Sequence, residues 1–180
     1  MRKRSIAILM AAAIVTTFIA ARNLHGGERT MSKLTIASPA FPHNGMIPQK
    51  HTCDGTDVNP PLSFGNIPER TRSLALIVDD PDATRGTWVH WIVWNIGPET
   101  MNIAENSVPR DARQGTNDFR KQAYGGPCPP SGTHRYFFKL YALDTPLSLN
   151  AGATKPQLEE AMKGHVLEMS ELIGLYRRRP

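Results

Sequence analysis

The stretch that decides the fold is residues 73–96, SLALIVDDPDATRGTWVHWIVWNI. It contains two runs of strand length, residues 73–79 and 88–96, that are rich in aliphatic and aromatic side chains. Between them, DPD at residues 80–82 consists of residue types that favour turns. A third run of the same kind, HRYFFKLYAL, occupies residues 134–143. We therefore predict three strands of one sheet or sandwich.

Polar and aromatic side chains stand at the start of two of these predicted strands. Successive side chains on a strand point to opposite faces, so Trp88 shares a face with His90, and His134 shares a face with Tyr136. If both strand starts lie at the same end of the sheet, the four side chains can line one cavity. Binding residues are often carried on loops that a rigid scaffold positions.

This set of side chains indicates a site for a small anion. The two histidines, Arg135 and the backbone amides of residues 125–132 could all donate hydrogen bonds to it. Because histidine changes charge near neutral pH, binding should depend on pH. Asp80 and Asp82 come from the end of the preceding strand. They could hold an imidazole in one tautomer or accept from a ligand ammonium group, so a zwitterion such as phosphorylethanolamine would use both signs of charge.

Three motifs in this order and spacing resemble the phosphatidylethanolamine-binding protein family, also called Raf kinase inhibitor-like proteins. They are DPDA at residues 80–83, Trp-x-His at 88–90, and G-x-x-P-P-x-G-T-H-R-Y at 126–136. CDG at residues 53–55 and GTNDF at 115–119 favour the bacterial branch. The resemblance begins near residue 34 and runs to the C-terminus. It implies a mostly antiparallel β fold with a pocket for phosphate, phosphorylethanolamine or acetate.

The resemblance also implies which residues line that pocket and what the protein does. Family members are linked to phospholipid head-group binding and to inhibition of kinases or proteases. We therefore expect a non-enzymatic protein that binds an anionic or phosphorylated head group, with an inhibitory or modulatory protein–protein module as the alternative. Matched position by position, the implied pocket residues are Asp80, Asp82, Trp88, His90, Gly126, Pro127, His134 and Tyr136.

Other chemistries have weaker support in the sequence. Neither His-x-His nor His-Glu-x-x-His is present, and we expect no metal and no cofactor. A Ser-His-Asp hydrolase could use Ser131, His134 and Asp80, but the chain has no Gly-x-Ser-x-Gly elbow. Nucleotide-binding glycine loops are also missing from the sequence. Hydrolysis therefore stays a minor hypothesis.

The sequence of the first 33 residues indicates where in the cell the protein is located. A basic segment at residues 2–4 precedes an apolar run at 5–21, which is typical of a secretory signal. We interpret residues 1–21 as a signal peptide or an uncleaved membrane anchor, 22–33 as a linker and 34–180 as the domain. Export would place the domain in the periplasm or outside the cell. If translation starts at Met31 instead, the protein would be cytoplasmic.

Whether the two cysteines form a disulfide depends on whether the protein is exported. Cys53 and Cys128 are the only two in the chain, and both lie in Gly/Pro-rich segments beside the predicted site. In an oxidising compartment such a pair can form a disulfide, whereas the alternative is two unrelated buried thiols. We predict the disulfide for an exported chain.

Charge argues against nucleic acid as a partner. The formal net charge is +5, and it falls to +2 without the three cations of residues 2–4. The basic cluster at residues 177–179 is interpreted as a solvated tail that could touch anionic lipid. Membrane association is otherwise expected only through the N-terminal segment.

One helix is predicted near the C-terminus. Thr154 followed by Gln157 forms a capping-box pattern, and apolar residues recur after it at helical spacing. The predicted fold is thus mainly β, an antiparallel sandwich with a C-terminal helix and long Pro/Gly-rich loops at residues 41–61 and 98–124. The apolar positions assigned to the helix are Leu158, Ala161, Met162, Met169, Leu172 and Ile173.

Overall fold

The computed structural model describes residues 33–178. The predicted signal or anchor, and the predicted linker up to residue 32, lie outside the described residues. Within them, no helix has both the length and the apolar character that crossing a membrane requires. The elements are β1 (Thr35–Ala37), β2 (Gly45–Met46), a 3-10 turn (Gln49–His51), β3 (Leu62–Gly65), β4 (Ser73–Asp80), β5 (Trp88–Ile96), β6 (Asn102–Ile103), β7 (Arg113–Gln114), β8 (His134–Leu143), α1 (Lys155–Met162) and β9 (Val166–Tyr176).

The strands form two sheets, and the chain is mostly β as predicted. The larger sheet has the order β2-β9-β8-β4-β5-β7, and the smaller has the order β1-β3-β6. All neighbours pair antiparallel except β2 and β9. The three strands expected from the sequence are β4, β5 and β8, which lie side by side at the centre of the larger sheet.

The central position of β4 explains its unbroken apolar sequence. Every residue of β4 is buried, because both faces of this part of the sheet are covered. On one face Trp91 packs into the core that includes residues of the smaller sheet, and on the other Trp94 packs with Leu158 and Met162 of α1. Both tryptophans are completely buried and belong to the core.

The helix is shorter than the sequence pattern predicts. The capping box is present, with the backbone N–H of Thr154 donating to Gln157 Oε1 at 2.8 Å. The helix ends at Met162, and Gly164 follows with φ of 78°, a left-handed conformation that suits glycine.

The assignment of Met169, Leu172 and Ile173 to the helix is therefore wrong. They lie on β9, which pairs with β8 from Val166 to Tyr176. Leu172 is buried in the core, while its neighbour Ile173 points to the opposite face, as the period of a strand requires. A short apolar run fits both periods, and here the long-range pairing decides.

The antiparallel pairing brings the predicted site residues to one end of the sheet. β4 pairs with both β5 and β8, so the end of β4 meets the start of each neighbour. Asp80 lies opposite Trp88, and Asp79 lies opposite Phe137. The condition set in the sequence analysis, that the two strand starts lie together, is met.

Candidate functional site

His90 occupies an irregular position in β5. Val78 of β4 pairs with Trp91, whereas the next residue, Asp79, pairs with Val89, so His90 is an extra residue on its strand. Such a β-bulge re-aims a side chain and is frequent beside functional sites. The bulge therefore gives His90 a direction that strand alternation alone does not specify.

The His90 ring is held on several sides. Its Nδ1 lies 2.6 Å from the carbonyl O of Gly125, and its ring centroid lies 5.2 Å from that of Tyr136 and 5.3 Å from that of Phe119. Both aromatic contacts have the edge-to-face geometry that such rings prefer. Burial, opposed by the Gly125 carbonyl and the charge of Asp80, lowers the pKa of His90 below 6.5.

The second histidine is paired with a carboxylate. His134 Nδ1 donates to Asp80 Oδ2 at 2.7 Å, and both side chains are buried. The other carboxylate oxygen of Asp80 accepts from the backbone N–H of Asp82 at 2.8 Å, across the turn that follows β4. Asp80 therefore fixes the tautomer and orientation of His134, one of the two roles considered for it from the sequence.

Asp82 has a different partner. Arg135 forms a bidentate ion pair with Asp82. Its Nε donates to Asp82 Oδ2 at 2.9 Å, and a terminal guanidinium nitrogen donates to Asp82 Oδ1 at 2.7 Å. The Arg135 side chain is the main reason that the pKa of Asp82 falls to about 2. The guanidinium of Arg135 is thus engaged by Asp82, and it is not a free cation for a ligand.

Tyr136 contributes a buried hydroxyl group. Its exposed fraction is 1%, and its Oη is enclosed and makes no hydrogen bond of normal geometry within residues 33–178, while the Asp80 carboxylate and the Cys128 backbone are its polar neighbours. Burial, reinforced by the negative charge of Asp80, raises the pKa of Tyr136 well above its usual range. A buried hydroxyl without a partner is costly, and most such groups in proteins are paired. The Tyr136 hydroxyl therefore belongs to the buried polar groups at this end of the sheet.

Aromatic side chains lie on the outer side of these predicted site residues. Trp88 is 36% exposed, and its ring centroid lies 5.4 Å from that of Phe119. Phe119 contacts both Trp88 and His90, yet it was not among the predicted site residues. It belongs to the GTNDF segment that was used only to indicate the bacterial branch, which is the signal that could have found it.

Another residue missed from the sequence, Asn117, supports the backbone of the site. Its side chain is buried, and its Nδ2 donates to the carbonyl oxygens of His90, at 3.0 Å, and Ala123, at 2.9 Å. Its Oδ1 accepts from the backbone N–H of Lys121. Asn117 thereby ties the bulged strand to the segment that leads into residues 125–132.

Gly126 and Pro127 hold their loop in place and do not provide hydrogen-bond donors for a ligand. The backbone N–H of Gly126 donates to Asp57 Oδ1 at 2.6 Å, so it is already used. A Cβ at Gly126 would lie 2.5 Å from the carbonyl O of His51, which leaves no room for a side chain. The carbonyl O of Pro127 accepts from the backbone N–H of Cys53 at 3.1 Å.

The predicted disulfide is present. Cys53 and Cys128 are bonded, with their Cα atoms 5.5 Å apart. Because Cys128 directly follows Pro127, the bond joins the loop after the 3-10 turn to the loop that carries two of the predicted pocket residues. This covalent link adds to the hydrogen bonds between the same two loops.

The eight predicted residues thus fall into distinct positions. Asp80, His90, His134 and Tyr136 are all at most 8% exposed and form a compact cluster, here called the histidine cluster. Three surface cavities of about 550, 550 and 290 Å³ are lined by other residues. Among residues 33–178 no three His, Cys, Asp or Glu side chains are grouped so that they could hold a metal ion. Outside the cluster, Trp88 lies at the rim, Asp82 is paired with Arg135, and Gly126 and Pro127 lie in the supporting loop.

Comparison with known proteins gives consistent matches. The family model described as phosphatidylethanolamine-binding protein matches residues 37–177. A UPF0098 protein of Methanothermobacter thermautotrophicus is 50% identical over 150 residues, which covers 81% of this chain and 99% of that protein. A UPF0098 protein of Pyrococcus horikoshii is 49% identical over 162 residues, covering 86% and 81% respectively.

Two crystal structures share the fold. A phosphatidylethanolamine-binding protein homologue from Chlamydia trachomatis superimposes with a TM-score of 0.79 at 43% identity, covering 82% of this chain and 99% of that one. E. coli YbcL, described as a member of the mammalian family, superimposes with a TM-score of 0.77 at 27% identity, covering 82% and 100%.

Proposed function

This chain belongs to the phosphatidylethanolamine-binding protein family, and from that premise we propose that it is a non-enzymatic protein that binds a small anionic or phosphorylated group at the histidine cluster. The observation that carries the proposal is the arrangement of buried polar groups at one end of the larger sheet. His90 and His134 each use Nδ1 within the protein, and the nearby Tyr136 hydroxyl makes no hydrogen bond of normal geometry in the described residues. Such groups need a polar ligand or water.

The burial of the cluster bears on the size of the ligand. His90 is 3% exposed and His134 is 8% exposed, so little of either ring meets solvent. A group of a few atoms, such as a phosphoryl group, matches this limited access better than a large rigid molecule. Trp88 and Phe119 at the rim then offer apolar surface to whatever the bound group is attached to.

The hydrolase hypothesis finds little support. Ser131 is exposed, and within the described residues no hydrogen bond links it to His134. A nucleophile and its base are expected within hydrogen-bonding reach of each other. The same His134–Asp80 pair serves a binding role without any further group.

The test is a titration of the full chain with inorganic phosphate and phosphorylethanolamine by isothermal calorimetry. We expect saturable binding that is lost in His90→Ala and in His134→Ala. His165→Ala is the matched control, because His165 is exposed and pairs with Asp144 outside the cluster. A folded wild-type chain that binds neither compound would refute the proposal and favour the protein-interaction alternative.

We also propose that the domain is exported. The basic and apolar N-terminal pattern supports this, and so does the disulfide, since structural disulfides are typical of oxidising compartments. Expression of the full chain in a bacterial host, followed by fractionation and mass determination, tests it. Recovery of an oxidised chain in the periplasmic fraction is expected, and recovery in the cytoplasm alone would contradict it.

A further inference from the structure

Asp57 carries a negative charge that no neighbouring cation balances. Its side chain is half-buried, and its Oδ1 accepts from the backbone N–H of Gly126 at 2.6 Å. Within residues 33–178 Asp57 forms no ion pair. The backbone of Lys50 accepts from the Asp57 N–H, but the ammonium group of Lys50 is paired with Glu105. One carboxylate oxygen of Asp57 is therefore left for a partner from outside the described protein.

Asp57 lines the surface cavity of about 290 Å³, here called the acidic cavity. Trp91 and Tyr124 line it too, and their ring centroids lie 5.7 Å apart in an edge-to-face arrangement. Among the described residues that line this cavity, Asp57 is the only one with a formal charge at neutral pH. Small-molecule pockets usually measure about 300–1,000 Å³, so the acidic cavity suits a ligand at the small end of that range.

The aromatic side chains of the acidic cavity already use their polar groups. Trp91 Nε1–H donates to Gln114 Oε1 at 2.8 Å, and the Tyr124 hydroxyl donates to the carbonyl O of His51 at 2.9 Å. The side-chain amides of Asn106 and Gln114 keep N–H groups on the lining, but amides carry no charge. An anion in this cavity would therefore face a carboxylate, with no cation among the described lining residues to offset the repulsion.

The same surroundings favour a positive charge. Burial raises the pKa of Tyr124 well above its usual range, and the negative charge of Asp57 adds to the rise. The field that disfavours a negative phenolate at this position attracts a cation. The faces of Trp and Tyr rings also attract a cation that lies within about 6 Å of the ring centroid. Charge and aromatic lining thus select the same kind of ligand.

We propose that the acidic cavity binds the ammonium group of a small amine, with Asp57 as its hydrogen-bond acceptor and counter-ion and the rings of Trp91 and Tyr124 beside it. An ammonium group that carries N–H forms a charge-assisted hydrogen bond with the carboxylate, which is stronger than a bond between neutral groups. This ligand class differs from the anion proposed for the histidine cluster. The inference does not depend on the proposed function, because no residue of that cluster lines the acidic cavity.

The experiment is an NMR titration of the nitrogen-15-labelled full chain with ethylammonium chloride, at constant ionic strength and at pH 7, where a primary amine is protonated. The indole N–H of Trp91 reports on the cavity, and that of Trp94, buried on the other face of the sheet, is the internal control. We expect saturable shifts of the Trp91 indole and of the Gly126 amide, whose acceptor is Asp57, and none at Trp94.

Two further probes test the chemistry of recognition in the wild-type chain. Sodium acetate is an anion of similar size, and we expect it to leave the Trp91 indole signal in place. Tetramethylammonium chloride has the positive charge but no N–H, so it cannot donate to Asp57. We expect it to bind about tenfold more weakly than ethylammonium, the effect of one hydrogen bond to a charged group.

The variant Asp57→Asn removes the charge and nearly keeps the shape of the side chain. Its Oδ1 can still accept from the Gly126 N–H, so the contact with that loop is retained. We expect its affinity for ethylammonium to fall at least about tenfold. Asp111→Asn is the matched control and should leave the affinity unchanged. Asp111 is exposed, does not line the cavity, and has a positive φ of 64° that Asn also tolerates.

Four results would overturn the inference. They are a folded wild-type chain in which ethylammonium causes no saturable shift at Trp91, an equal affinity in Asp57→Asn, an equal response to acetate, and an equal affinity for tetramethylammonium. If Asp57→Asn does not fold, the comparison of the three probes in the wild-type chain decides. None of these results changes the proposed function, which the phosphate titration tests separately.

Discussion

Replacing both Cys53 and Cys128 by serine should lower the free energy of unfolding by about 4 kcal/mol. The bond spans a sequence separation of 75 residues, and the chain-entropy model gives about 4 kcal/mol for closing a loop of that length in the unfolded chain. For a domain of this size, each kcal/mol shifts the melting temperature by about 2–4 °C. We therefore expect a decrease of about 8–16 °C.

Thermal and urea unfolding, each with and without a reductant, measure this effect. Both cysteines are exposed, so a reductant reaches the bond in the folded protein. The reduced wild type should match the double variant, and the variant itself should not respond to the reductant. The hydrogen bond from the Cys53 N–H to the Pro127 carbonyl is a backbone contact that survives the substitution. A loss smaller than about 1 kcal/mol would refute the entropic argument.

Three further predictions concern stability. Asn117→Ala should cost about 2–4 kcal/mol in urea unfolding, because it leaves the His90 carbonyl and other buried groups unpaired. Arg135 lowers the pKa of Asp82 from 3.8 to about 2, so the stabilisation by this pair is present above pH 3.8 and is lost as the pH falls through about 2. In the Asp82→Asn variant the urea concentration at the unfolding midpoint should therefore change less with pH over this range. Gly164→Ala should cost about 1 kcal/mol because φ there is 78°.

The central strands could be predicted from the sequence with little error. The predicted runs 73–79, 88–96 and 134–143 differ from β4, β5 and β8 by one residue at most, at Asp80. These runs are long, and residues that favour turns bound them, so local sequence and tertiary pairing agree. The pattern after Met162 was ambiguous, because only pairing with β8 determines that β9 is a strand.

The candidate site was predictable as a set of residues but not as a geometry. The bulge that re-aims His90 depends on how β5 pairs with β4, and local sequence does not specify it. Asp57 illustrates the same limit. It adopts a positive φ of 59° and accepts from the Gly126 N–H, although 69 residues separate them. Contacts of this range are fixed by the complete fold.

The partners of the two carboxylates change the expectation for a zwitterionic ligand. From the sequence, Asp80 and Asp82 could have received the ammonium group of phosphorylethanolamine. In the structure Asp80 is bonded to His134 and Asp82 to Arg135, so an ammonium group would have to compete with an existing partner at either position. The ethanolamine end should therefore add little affinity, and the phosphoryl group should determine what binds.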